Sequence, residues 1–160
     1  LTPLLADHPN LVITRTFSKA HGLAGLRVGY AYGSPEVIEM IDRTLAPFAV
    51  NDLAQRSARA SLAAVDEMQS RVANVVVERD RVTETLRAAG WTTPNPQGNF
   101  VWLPVGALAA DLGVALEQRG VVARAFPEVG VRVTISTETA NDRFLEAIIH
   151  AATDLGVVPR

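Results

Sequence analysis

The chain has 160 residues, which allows one domain or one small domain with part of another, and its hydrophobic fraction of 48% is enough for a folded core. A formal net charge of −2 gives no electrostatic basis for binding nucleic acid or an anionic membrane. The absence of cysteine excludes disulfides, zinc–thiolate sites and thiol catalysis, and fits a cytoplasmic protein.

The first third of the chain is predicted to contain two strands and a helix. β-Branched residues predict a buried strand over 11–17, and a second short strand is predicted over 27–33. Glycines predict that the intervening "SKAHGLAGL" is a loop. A helix is predicted to follow, with Ser34 as its N-cap and Pro35 at its first position.

The remaining two thirds are predicted to be mainly helical. Apolar spacing predicts four more helices, over about 53–64, 66–89, 107–119 and 140–155. Runs rich in β-branched and aromatic residues predict three more strands, at 99–105, 121–126 and 131–136. Gly90 is expected to end the long helix, and a capping-box-like Thr139–Asp142 to begin the last one. The order β-β-α-α-α-β-α-β-β-α indicates an α/β sheet domain followed by a compact α+β domain.

The segment "TRTFSKAHGLAGLRVGY" concentrates unusual chemistry. A lysine is a good nucleophile for carbonyls once it is neutral, and Lys19 lies here beside the hydroxyls of Thr16 and Ser18. Arg27 suits bidentate binding of a phosphate, and the glycines let backbone amides approach an anion closely. A phosphorylated aldehyde would use all of these features. The alternative is a solvated lysine and arginine in a flexible loop.

This segment resembles the Schiff-base segment of fold-type-I pyridoxal-phosphate aminotransferases, in the subgroup of histidinol-phosphate and aromatic amino acid aminotransferases. The resemblance continues through "GSPEVIEMI", "NFVWLP" and "GVRVTI", and so covers nearly the whole chain. It implies that residues 1–50 are the C-terminal part of the large, cofactor-binding domain. Residues 51–160 would then be connecting helices and the small α+β C-terminal domain.

The resemblance also implies residue roles. Lys19 would hold pyridoxal 5'-phosphate as a Schiff base, and its free amine would move a proton between the substrate α-carbon and cofactor C4′. Ser18 and Arg27, together with Thr16, would bind the cofactor phosphate. The cofactor would supply the electron sink, and the protein would supply placement and proton transfer.

Two arginines and two further residues are candidates outside the phosphate site. Arg132 lies between β-branched residues, and the resemblance implies that it grips the substrate α-carboxylate; the alternative is an edge-strand arginine that points to water. Arg124 matches a position near the substrate side chain, although Ala125 replaces the usual proline. We interpret Asn99 as holding local backbone and His21 as a spacer. No histidine or carboxylate pattern indicates a metal site.

The resemblance implies transamination of an aromatic amino acid with a 2-oxo acid, in a cytoplasmic homodimer with small-molecule partners, no nucleic acid and no membrane. "RVGYAYGSPEVI" and "PFAVNDLAQ" favour the aromatic branch. Histidinol-phosphate aminotransferase is the alternative within the class. A different class is the aminotransferase-like domain of a transcription regulator, whose DNA-binding segment would lie outside this sequence.

Several residues that the family needs are expected elsewhere. Its aspartate for the pyridine nitrogen, its tyrosine and asparagine for O3′ and its phosphate-binding loop all precede the lysine, and residues 1–10 contain no motif for them. The sequence also lacks an initial methionine and a signal-peptide pattern. We therefore expect the C-terminal part of a longer enzyme, inactive as an isolated 160-residue chain.

Overall fold

The helices and strands follow the predicted order, with one short helix added before the first strand. A computed structural model describes residues 3–156 and contains α1 (Leu4–Asp7), β1 (Val12–Thr16), β2 (Gly29–Gly33), α2 (Pro35–Asp42), α3 (Asp52–Ala63), α4 (Val65–Ala88), β3 (Phe100–Leu103), α5 (Ala109–Gln118), β4 (Arg124–Phe126), β5 (Gly130–Thr134) and α6 (Glu138–Asp154). Packing divides the chain between Arg71 and Val72 into two units. The assignment of 1–50 and 51–160 to two enzyme domains stays a prediction.

The first unit is built on an antiparallel pair of strands. β1 and β2 pair from Val12↔Gly33 to Thr16↔Gly29. Gly29 is required here, because a Cβ at this position would lie 2.7 Å from the carbonyl oxygen of Arg15. The prediction that the first strand is buried is wrong: in β1 only Ile13 is buried. Its β-branched residues form a strand, but among the described residues only β2 pairs with it.

The second unit contains a three-stranded antiparallel sheet in the order β3-β5-β4, so β5 is the central strand. One face of this sheet is buried, through Val101, Leu103, Val131 and Val133. The same hydrophobic core includes residues of α4, α5 and α6, namely Val82, Leu86, Leu112, Leu116, Phe144 and Ile148. The opposite face carries Phe100, Trp102, Arg124, Phe126 and Arg132, because successive side chains alternate along each strand.

The N-cap of the last helix lies two residues before its predicted position. Thr137 is the N-cap, and its hydroxyl accepts a hydrogen bond from the amide of Ala140, so the predicted capping box at Thr139 is wrong. Asn141 is buried and acts elsewhere: its carbonyl accepts from the Ser136 amide at 3.0 Å, and its amide donates to Glu78 Oε2 at 2.8 Å. This network fixes the turn between β5 and α6 onto α4.

Glu78 gives the second unit a pH-dependent contribution to stability. Hydrogen bonds from Arg81, and then from Asn141, lower the pKa of Glu78 from 4.5. A lowered carboxyl pKa stabilises the fold above the unfolded-state pKa, and this contribution is lost as the pH falls through the folded-state value. Glu78→Gln should therefore lower the urea midpoint clearly at pH 7, and the gap to wild type should narrow below about pH 4.5. Glu84→Gln, on an exposed part of α4, is the matched control, and a gap that stays constant with pH would contradict the assignment.

Candidate functional site

The loop that carries the predicted lysine has a defined path. In this lysine loop, residues 17–28, the Phe17 amide donates to the Val28 carbonyl at 3.2 Å, which closes the base of the loop. The Leu23 amide donates back to the Phe17 carbonyl, and the Gly22 amide to the Lys19 carbonyl, both at 2.9 Å. Phe17 and Val28 are buried together with Ala54 and Ala58 of α3. The two ends of the loop are thus held against one helix.

The structure brings the predicted cofactor-binding residues onto this one loop and its approach. Thr16 ends β1, and its hydroxyl accepts a hydrogen bond from the Ser18 amide at 3.0 Å, which leaves the hydroxyl proton free to be donated. Lys19 is exposed. Among residues 3–156, neither the Lys19 ammonium nor the Ser18 hydroxyl has a hydrogen-bonding or ion-pair partner. Both groups are therefore available to a ligand.

Arg27 holds an unfavourable backbone conformation at the end of the loop. Its φ of 52° and ψ of 46° lie in the left-handed region, which a residue with a Cβ adopts at a cost of about 1 kcal/mol or more. The guanidinium donates to the Ala24 carbonyl at 2.8 Å, so it is folded back across the 3₁₀ turn Ala24–Leu26. Such strain often accompanies function. The left-handed backbone conformation also sets the direction in which the Arg27 side chain projects from the loop.

The lysine loop is electrostatically one-sided. Lys19 and Arg27 in the loop and Arg15 in β1 before it are cationic, and the sequence has no acidic residue between Asp7 and Glu36. An amine, hydroxyl donors and a guanidinium in such surroundings fit a ligand that combines a phosphate with an aldehyde. The donor set of this chain therefore fits the phosphate and aldehyde ends of pyridoxal phosphate.

One contact between the lysine loop and α3 could not be predicted from the sequence. His21 was interpreted as a spacer, but its Nδ1 lies 2.8 Å from Ser61 Oγ in α3, and its ring centroid is 4.6 Å from that of Phe17. This contact anchors the loop two residues after Lys19. The sequence contains no signal for it, because His21 and Ser61 are 40 positions apart.

One sequence signal could have strengthened the lysine assignment. Lys19 is the only lysine in the 160-residue chain, and arginine supplies every other basic side chain apart from histidine. Arginine serves as well as lysine for most surface charges, but its guanidinium is not deprotonated in proteins and cannot attack a carbonyl. A single lysine in a chain whose other basic side chains are arginine and histidine therefore favours a role that needs an amine.

The second unit brings the two other predicted arginines together. Arg124 and Arg132 are direct partners in the register of β4 and β5, and Trp102 on β3 is the partner of Arg132 on the other side. All three side chains therefore lie on the same face of the sheet. None of the three strands contains an acidic residue. Two guanidiniums at paired positions, on strands that carry no carboxylate, suit the binding of an anion.

Arg132 is an internal residue of the sheet. The expectation of an edge-strand position is wrong, because β5 is the central strand of the sheet, and Arg132 is half-buried there. Its Nε is buried and has no hydrogen-bond partner. A buried donor without a partner costs about 1–3 kcal/mol, so a ligand that accepted this hydrogen bond would regain that energy. Its guanidinium lies over the ring of Phe100, with Cζ 5.3 Å from the centroid.

Other features of the second unit do not coincide with the predicted residues. A cleft opens between the turn after α5 and the start of α6, lined by residues that include Val122, Thr134 and Arg143, but by neither Arg124 nor Arg132. The main-chain carbonyl of Asn99 accepts from the Ile135 amide at 2.9 Å, which continues the β3–β5 pairing, and the role of the Asn99 side chain stays a prediction. No group of metal-ligating side chains occurs within residues 3–156. None of the described helices is both long and apolar enough to cross a membrane.

The chain belongs to the family of class I and II aminotransferases, whose model matches residues 2–148. It is 51% identical over 142 residues to the aromatic amino acid aminotransferase of Thermobifida fusca (strain YX), which covers 89% of this chain and 40% of that protein. The chain thus spans about two fifths of the length of this relative.

Solved structures agree with the fold. The histidinol-phosphate aminotransferase of Clostridium acetobutylicum matches 96% of this chain and 49% of its own with a TM-score of 0.86, at 22% identity. The histidinol-phosphate aminotransferase of Sinorhizobium meliloti, in complex with pyridoxal-5'-phosphate, matches 93% and 43% with a TM-score of 0.78, at 25% identity. The predicted fold-type-I class is therefore confirmed, and the family and the bound relative support pyridoxal phosphate as the cofactor.

Proposed function

We propose that this chain is part of an enzyme that uses pyridoxal phosphate to transfer the amino group of an aromatic amino acid to a 2-oxo acid. The observation that carries the proposal is Lys19, the only lysine of the chain, on a tethered loop with Ser18 and Arg27, in a sequence stretch from His8 to Pro35 that has no acidic residue. The substrate class is supported by the relative named aromatic amino acid aminotransferase at 51% identity. An assay with phenylalanine as donor and 2-oxoglutarate as acceptor tests it, on the protein expressed from its complete reading frame.

The residues of the lysine loop divide the work between binding and proton transfer. When bound, pyridoxal phosphate supplies the electron sink that lets a proton leave the substrate α-carbon. Lys19 Nζ would hold the cofactor covalently and, as a neutral amine, would carry that proton between the α-carbon and C4′. Arg27 and the hydroxyls of Ser18 and Thr16 hold the phosphate by charge-assisted hydrogen bonds. The tie from His21 to α3 limits the motion of the loop during these steps.

Arg132 binds the substrate α-carboxylate in this proposal. Its buried Nε lacks a partner, and a fork of two parallel N–H groups matches a carboxylate. Arg132→Lys keeps the charge and loses the fork. We expect KM to rise at least about tenfold, or about 1.4 kcal/mol, for phenylalanine, tyrosine and glutamate alike, with a smaller change in kcat.

Two further arginines control this experiment. Arg143→Lys, on an exposed part of α6, should leave all three KM values unchanged. Arg124→Lys should change KM only for some donors, because Arg124 faces the variable part of the substrate. Unchanged kinetics for Arg132→Lys with all three donors would remove Arg132 from the substrate site.

A second candidate function is transamination of histidinol phosphate. The observation that favours it is the register of Arg124 directly beside Arg132, because a second guanidinium suits a second anionic group such as a phosphate. Two solved structures named histidinol-phosphate aminotransferase share the fold. The two functions are separated by comparing kcat/KM for histidinol phosphate and phenylalanine, and a higher value for histidinol phosphate would favour the second.

The isolated 160-residue chain is expected to show no transaminase turnover and weak cofactor binding. It carries the lysine loop, but residues 1–10 contain none of the ring-binding motifs that the resemblance requires upstream. The measurement is absorbance titration with pyridoxal phosphate, followed by an assay with phenylalanine and 2-oxoglutarate. Sustained turnover by the purified 160-residue chain would show that the lysine loop needs no such residues.

We also propose that the complete enzyme works as a cytoplasmic homodimer in amino acid biosynthesis. This part of the proposal rests on the family resemblance. Light scattering on the protein expressed from its complete reading frame tests the oligomeric state directly.

A further inference from the structure

An aromatic row accompanies the two arginines on the open face of the second sheet. Phe100 and Trp102 lie on β3, and Phe126 lies on β4. The Trp102 and Phe126 rings meet edge to face with centroids 5.6 Å apart. Each arginine has one ring beneath it: Cζ of Arg124 lies 4.9 Å from the Phe126 centroid, and Cζ of Arg132 lies 5.3 Å from that of Phe100. Both distances fall within the range of a cation–π contact.

The sheet register explains why Arg132 leans toward Phe100. Trp102 is directly opposite Arg132, and its indole lies over Gly130, where a Cβ would come within 2.5 Å of Trp102 Cζ2. The indole thus occupies the Gly130 side of Arg132. Phe100 pairs with Thr134 and is the diagonal neighbour of Arg132 on the other side, within reach of a long side chain.

Phe100 is itself held in place by the chain that precedes it. A Cβ at Gly98 would lie 3.0 Å from Phe100 Cε1 and 3.3 Å from Cδ1, so the ring is folded back against the backbone of Gly98. The Gly98 carbonyl accepts a hydrogen bond from Arg79 of α4 at 3.4 Å. The ring therefore has a fixed support and does not merely fill space beside a mobile arginine.

We propose that Phe100 is a positioning residue that fixes the Arg132 guanidinium for carboxylate binding. No hydrogen bond or ion pair from another residue within 3–156 orients this guanidinium, and its Nε is buried without a partner. The ring face is what remains to restrict its torsions, and it does so without occupying any N–H group. An acidic partner would orient Arg132 equally well but would compete with the ligand. This inference rests on the proposed carboxylate role of Arg132.

The test uses the cofactor-loaded protein expressed from its complete reading frame. The probe is 3-phenylpropionate, which offers a carboxylate and an aromatic group but has no amine to react, and its Kd is measured by calorimetry. Phe100→Leu should raise this Kd about threefold to tenfold, the size of a partly desolvated cation–π contact. Phe100→Tyr keeps a ring face and should restore binding to within about twofold of wild type. KM for phenylalanine should rise in parallel, while kcat changes little.

A matched variant separates positioning from general loss of stability. Phe144→Leu removes the same atoms from a buried ring of α6, so it should lower the melting temperature but leave the Kd unchanged. If Phe100→Leu does not fold, Phe100→Met takes its place with the same expected Kd. Wild-type affinity in the aliphatic variant would overturn the inference, as would a tyrosine variant no better than the leucine one.

A double variant distinguishes failure of this inference from failure of the proposed function. With Arg132→Lys in place, Phe100→Leu should add little further loss, because the guanidinium that the ring positions is gone. If Arg132→Lys alone leaves the Kd unchanged, the carboxylate role of Arg132 is wrong and this inference fails with it. If Arg132→Lys weakens binding and Phe100→Leu does not, only the positioning role of Phe100 is wrong.

Discussion

Replacement of Lys19 by alanine is expected to lower the kcat of transamination at least about a thousandfold. Proton transfer by a positioned side chain contributes about a hundredfold to ten-thousandfold, and this variant also loses the covalent link to the cofactor. The structure indicates that the substitution affects catalysis and not folding, because Lys19 is exposed on a loop whose ends are held by Phe17 and Val28. Its side chain supports no packing that the substitution would remove. The circular dichroism spectrum should therefore stay unchanged while turnover is lost.

The matched variant is Lys19→Arg, which keeps the positive charge but cannot become a neutral nucleophile. Its loss of turnover should be as large as that of Lys19→Ala, which would separate the amine from the charge. Borohydride reduction of the wild-type enzyme should attach the cofactor to the peptide that contains Lys19. Within this chain no other lysine can take the label. Labelling of a peptide outside this chain, or substantial turnover in both variants, would contradict the assignment.

Local chemistry explains which parts of the fold could be predicted from the sequence. Ser34 caps α2 as predicted, with its hydroxyl accepting from the Val37 amide at 3.4 Å. Gly90 follows α4 with a φ of 88°, which a glycine adopts without the cost that a Cβ imposes. The N-caps, the glycines that end helices and the order of the elements all depend on residues within a few positions of each other. Such signals can be interpreted in a single sequence.

Long-range pairing explains the parts that could not be predicted. The sequence predicts a cap at Thr139 because Asp142 follows it at the spacing of a capping box, whereas Thr137 is the cap and Asn141 bonds to Glu78, 63 positions away. The burial of β1 was overestimated because β-branched residues report a strand but do not report what covers it. The contact between His21 and Ser61, which are 40 positions apart, could not be predicted from the sequence either.

The same limit applies to the candidate site. Lys19, Ser18 and Arg27 could be grouped from the sequence because one loop carries them. Arg124 and Arg132 could be proposed singly, but only the sheet register shows that they are direct partners and that β5 is the central strand. The role of Phe100 depends on a diagonal contact between β3 and β5, which are separated along the chain by α5 and β4. Contacts between residues on different strands of the sheet could therefore be identified only from the structure.

Arg27→Ala is expected to weaken binding of pyridoxal phosphate by about 2–4 kcal/mol, or roughly thirtyfold to several hundredfold. The loss of affinity should reflect removal of the guanidinium, which is a charged hydrogen-bond donor to the phosphate. Alanine, however, also removes the hydrogen bond from the guanidinium to the Ala24 carbonyl, so nothing from this side chain holds residue 27 at its strained φ of 52° and the backbone can relax. A lower affinity of the alanine variant would therefore have two explanations.

Arg27→Gly separates these explanations, because glycine adopts a positive φ without strain and removes the same guanidinium. If the guanidinium binds the phosphate, the glycine and alanine variants should lose cofactor affinity by similar amounts, although glycine relieves the strain at φ 52°. The affinity is measured by absorbance titration of the apoenzyme, with the melting temperature of each variant as the check on folding. If only the alanine variant binds weakly, the backbone of the loop matters and the guanidinium does not. If both bind the cofactor as wild type does, Arg27 has no part in holding the phosphate, and its strained conformation would need another explanation.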